Sequence, residues 1–89
     1  MRTVHKFPLE LADAEQRHHR LPRDARIVHV GEQHGYPTMW AEVDTHSCLF
    51  CDAPFRVVGT GQEIPDGYEH IGTSQGATFV WHIYRRTEQ

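Results

Sequence analysis

Three features of this 89-residue sequence predict a mainly β fold: a small antiparallel sheet of five or six strands forming a partly open barrel or sandwich, with at most one short helix. Apolar and polar residues alternate with a period of two in several short runs, the pattern of half-buried strands. Turn-forming clusters punctuate those runs, with "HGYP" at 34–37, "GTG" at 59–61 and "IPDG" at 64–67. Residues 10–24, the segment with helical propensity, lack the apolar stripe of an amphipathic helix. The length suits one domain, residues 1–89, with a single modest core.

The first run, "TVHKF" (3–7), alternates and is ended by Pro8, which fits a short strand at a sheet edge. Residues 10–24, "ELADAEQRHHRLPRD", are ambiguous. An acidic start and basic end suit a helix dipole, but without an apolar face a polar edge strand over Gln16–Leu21, closed by Pro22, is as reasonable. "ARIVHVGEQ" (25–33) and "TMWAEVD" (38–44) alternate around "HGYP", which predicts a β-hairpin with a loop of about four residues. In it Ile27 and His29 share one face, Val28 and Val30 the other, and Trp40, Val43, Val28 and Val30 are expected to be buried. "PFRVVGTG" (54–61) is a further strand and "EHIGTSQ" a weak one. "ATFVWHIYRR" (77–86) is the strongest, with Phe79, Trp81 and Ile83 on one face and Val80, His82 and Tyr84 on the other. Two apolar faces predict a central strand, or one whose outer face meets a partner.

Charge and hydropathy narrow the function. The formal net charge is −3, yet residues 1–26 have a balance of +2, and the stretch from Glu32 to Gly76 holds seven acids against Arg56 alone. Nucleic acid is disfavoured as the main partner, because counterion release needs a concentrated basic surface. No apolar run approaches the ~20 residues needed to span a bilayer, and the start lacks the apolar region of a signal peptide. Both point to a cytoplasmic protein without membrane association. In that reducing compartment, Cys48 and Cys51 are not expected to form a structural disulfide.

The segments "KFPLE", "LPRDARIVHVGEQHGYPTMWAEVD", "FRVVGTGQEIP", "YEHIGT" and "FVWHIY" together resemble a family of small uncharacterised proteins found mostly in bacteriophages and prophages. The resemblance covers nearly the whole chain. The family is a domain of unknown function, so the resemblance implies a phage-encoded accessory protein in the cytoplasm of a bacterial host, without established chemistry. The "HSCLFCDA" linker departs from the pattern, which counts against an ancestral metal role.

Four groups of residues carry possible chemistry. His46, Cys48 and Cys51 offer three zinc-type ligands within six residues, but a structural zinc domain normally adds a second ligand pair, and none has clean spacing here. Two loop cysteines beside inward-packed Leu49 and Phe50 is the preferred reading; zinc is the alternative, and a redox pair lacks the strand-to-helix context that lowers a thiol pKa. No cofactor is therefore expected. Arg17, His18, His19 and Arg20 form a possible anion patch, with an exposed, solvated segment as the plainer reading. His82 is read as a sheet histidine satisfied by hydrogen bonds in preference to a catalytic base. "VVGTGQEIP" lacks the Lys-Ser/Thr and following helix of a phosphate loop, so Gly59 and Gly61 read as turn residues.

Nothing resembles an activated nucleophile, and no enzyme is expected. The expected function is a non-enzymatic phage accessory protein that binds and modulates a host bacterial protein. A small-ligand binder that sequesters a nucleotide signal is the alternative, and a zinc-dependent interaction module stands behind it. Trp81, Tyr84, Arg85 and Arg86 are the candidate interface residues, for a host protein or for a homodimer built on the last strand.

Overall fold

The computed structural model describes all residues except 13, 19, 20, 23, 47–52, 88 and 89, and at 18 and 53 it describes the backbone alone. The described residues form seven strands: β1 (Arg2–Pro8), β2 (Gln16–His18), β3 (Arg26–Gln33), β4 (Tyr36–Asp44), β5 (Ala53–Gly59), β6 (Tyr68–Gln75) and β7 (Val80–Arg86). They lie in two antiparallel sheets, ordered β1-β4-β3 and β2-β5-β7-β6. The mainly β expectation holds, but the strands are seven, divided between two sheets, with no helix among the described residues.

The added strand is the polar segment that the sequence left open. Gln16–His18 pairs with Phe55–Ala53. A helix there would have had no apolar face to bury, whereas a strand satisfies the backbone of the β5 edge.

The β3–β4 hairpin turns on two residues, not four. His34 (φ 55°) and Gly35 (φ 84°) both lie in the left-handed region, as a type I′ turn requires and as glycine allows at no steric cost. Tyr36 and Pro37 therefore belong to β4, opposite Gln33 and Glu32.

A β-bulge corrects the expected faces of β3. Ile27 pairs with Ala41 and His29 with Trp40, so Val28 is an extra residue without a partner of its own. The insertion shifts the alternation by one. Ile27 and Val30 consequently both pack on the core, while Val28 is 42% exposed. Trp40 is half-buried on the opposite side of β4 from Met39, Ala41 and Val43, its ring 5.3 Å from that of His29. Val43 is buried as expected.

One face of each sheet builds the core. Phe7, Met39, Ala41 and Val43 come from the first sheet, and Phe55, Val57 and Ile83 from the second. Leu9 and Leu21, outside the strands, are almost fully buried with them. The edge strands β3 and β6 lie against each other. Burial of such apolar side chains is the main favourable contribution to folding. Phe79 falls outside β7, in the turn closed by the Gly76 N–H donating to the Phe79 carbonyl (2.9 Å), and is 63% exposed.

Candidate functional site on the outer face of the four-stranded sheet

Strand β7 lies between β5 and β6, so both its edges are paired. Its side chains alternate between the two faces of the sheet. Ile83 is fully buried and Trp81 packs against the core. Arg85 sits on that same side, its guanidinium 5.9 Å from the Phe55 ring centroid. Val80, His82, Tyr84 and Arg86 point the other way. The four candidate interface residues are thus split: Tyr84 and Arg86 belong to the outer face, Trp81 and Arg85 to the inner one.

The outer face carries a connected set of polar and aromatic groups. Thr60 Oγ1 lies 2.9 Å from His82 Nε2, and Thr73 Oγ1 lies 3.1 Å from His82 Nδ1 and 3.0 Å from His70 Nε2. A bulge at Ile71 puts this set together. His70 pairs with Tyr84 and Gly72 with Ile83, so His70 and Thr73, three apart in sequence, face the same way. The His70 ring meets Tyr84 edge-on at 5.4 Å and lies 6.3 Å from that of His82.

A second cluster adjoins it. The Tyr68 hydroxyl donates to Glu15 Oε2, which also accepts from Arg86 (3.3 Å), while Arg17 reaches Glu15 Oε1 at 3.1 Å. The Tyr68 hydrogen bond chiefly, aided by Arg86 and Arg17, holds the Glu15 carboxyl below its ordinary pKa, against a smaller opposing push from burial. Arg56 lies over the Tyr68 ring, 5.7 Å from its centroid. A hollow of about 540 Å³ beside it is lined by Arg56, Val58 and the loop Gln62–Asp66. Val58 is on the outer face yet only 4% exposed, so the chain itself covers part of the second apolar face.

The other sequence-derived sites are less informative. Arg17 is engaged with Glu15, His18 contributes backbone to β2, and His19 and Arg20 lie outside the described residues. His46 is exposed just beyond β4, its backbone N–H donating to Asp44 Oδ1 at 3.0 Å, which lowers the Asp44 pKa. Cys48 and Cys51 also lie outside the described residues. Among those described, no three His, Cys, Asp or Glu residues are grouped to hold a metal. No helix among them is long and apolar enough to cross a membrane.

A family model described as "Domain of unknown function (DUF7352)" matches residues 1–89. The chain belongs to the DUF7352 family. No curated protein and no solved structure matches it. In this DUF7352 chain the outer-face set comes from β2 and the segment before it, the loop after β5, and strands β5, β6 and β7. No linear motif links such positions. The available signal was alternation in β6 and β7, which places polar and aromatic residues on one face once the bulge is known.

Proposed function

We propose that this DUF7352 protein is a non-enzymatic binding module that engages a protein partner through the outer face of its four-stranded sheet. The observation that carries this reading is the grouping of Arg56, Tyr68, Tyr84 and Arg86 on one outward face, with Tyr68 and Arg86 already fixed by Glu15. Tyrosine and arginine dominate the energetics of protein interfaces, and side chains held in place before binding lose less entropy on contact.

The setting we propose, from the resemblance to phage and prophage proteins, is a phage-encoded accessory that modulates a host protein in the bacterial cytoplasm. Glu63 and Asp66 line the hollow beside Arg56 and disfavour a phosphate group in it. A homodimer through the outward pair Tyr84 and Arg86 is the variant of this reading in which the partner is a second copy.

Crosslinking in bacterial lysate, followed by binding measurements with the purified partner, tests the proposal. Tyr84→Asp should weaken binding tenfold or more, roughly the loss of a central aromatic anchor. Val28→Asp, on the other sheet, should leave it unchanged. Light scattering distinguishes a second copy from a foreign protein. A chain that stays monomeric and recovers no partner, or a Tyr84→Asp variant that binds as the wild type does, overturns the proposal.

A further inference from the structure

We propose that His70 and His82 form a two-histidine site for a divalent first-row transition ion of the zinc or copper(II) class. Two ring nitrogens on neighbouring strands, His70 Nε2 and His82 Nδ1, converge on one point, presently the Thr73 hydroxyl oxygen, at 3.0 and 3.1 Å. Imidazole nitrogen is the ligand such ions favour, at about 2.0–2.1 Å. Two rings sharing an ion at that bond length have centroids roughly 5–6 Å apart, and these stand at 6.3 Å. For both nitrogens to hold one ion, the Thr73 hydroxyl must rotate out of the shared point and each ring must close by about 1 Å.

One of the two tautomers of His82 suits the role. Thr60 Oγ1 lies 2.9 Å from the far nitrogen of His82, and with Nε2–H donating there, the lone pair of Nδ1 faces His70. A ligating histidine that donates its other N–H to an oxygen is the usual outer-shell arrangement, fixing both tautomer and ring orientation. Thr73 has a single hydroxyl proton, so it donates to one ring and accepts from the other. With His82 Nδ1 as the acceptor, His70 Nε2 carries a proton, which moves to Nδ1 of the same ring when the ion binds. His70 is exposed and His82 half-buried, so an ion has access. Two protein ligands leave at least two coordination positions for water or for a donor from a partner.

Calorimetric titration of the full chain with Zn²⁺ and with Cu²⁺ tests the site, alongside ¹⁵N spectra of the histidine rings. Micromolar binding is expected, with the largest shifts at His70 Nε2 and His82 Nδ1. His70→Ala and His82→Ala should each weaken it at least tenfold. Thr60→Val should cost about tenfold through lost orientation, and Thr73→Val should retain binding. Absence of binding by both ions, or affinity and ring shifts that persist in both alanine variants, overturns the proposal. The outcome is independent of whether Tyr84→Asp disturbs a protein partner.

Discussion

Gly72 of β6 backs directly onto Val30 of β3: a Cβ placed on Gly72 would lie 2.6 Å from Val30 Cγ2 and 2.8 Å from Val30 Cβ. The two sheets approach so closely here that a side chain at position 72 must displace Val30. Gly72→Ala should therefore destabilise the fold by about 1–3 kcal/mol, the usual cost of overpacking. Denaturant titration of Gly72→Ala, Val30→Ala and the double variant checks it. The double variant should recover part of the loss, because the two residues are coupled through one contact.

Ile83 and Phe79 make a contrast within one sequence run. Ile83→Ala should cost about 3 kcal/mol, as expected for a fully buried aliphatic residue. Phe79→Ala should cost under about 1 kcal/mol, since Phe79 is largely exposed and its ring lies 5.8 Å from that of Trp81. Equal losses in chemical denaturation would contradict this placement.

Trp40→Ala should cost about 1–2 kcal/mol rather than the ~3–5 kcal/mol of a core indole. The ring is half-buried on the outer side of the first sheet and lies 5.3 Å from that of His29. Thermal melts of the variant decide between the two values.

The depressed pKa of Glu15 links stability to acid. Its carboxyl ionises more readily folded than unfolded, so its contribution is present above its ordinary value of 4.5 and is lost as pH falls below that through the folded pKa. Denaturation midpoints measured from neutral to about pH 3 should fall less steeply in Glu15→Gln. Tyr68→Phe should raise the Glu15 pKa, because it removes the largest stabiliser of the carboxylate.

Replacing Cys48 and Cys51 together by serine should leave the unfolding transition unchanged, since sequence supplies no second ligand pair with which they would close a structural zinc site. Unfolding of the wild type on chelation that the double-serine variant no longer shows would contradict this.

Alternation and turn chemistry act over only a few residues, so the β class, six of the seven described strands and a hairpin across 34–37 were legible in the sequence, while the two-residue turn at His34–Gly35 was not. The polar strand Gln16–His18 was legible only as one of two options, since its partner, Ala53–Phe55, lies far along the chain. Tertiary structure decided the division into two sheets and the two bulges. The Val28 bulge exposes one valine and brings Val30 to the core; the Ile71 bulge sets His70 and Thr73 beside His82. A single inserted residue reverses every side chain beyond it, and whether a strand takes that insertion depends on cross-strand pairing and inter-sheet packing such as Val30 against Gly72. Local composition does not carry those contacts, which is why the strands were readable and the outer-face cluster was not.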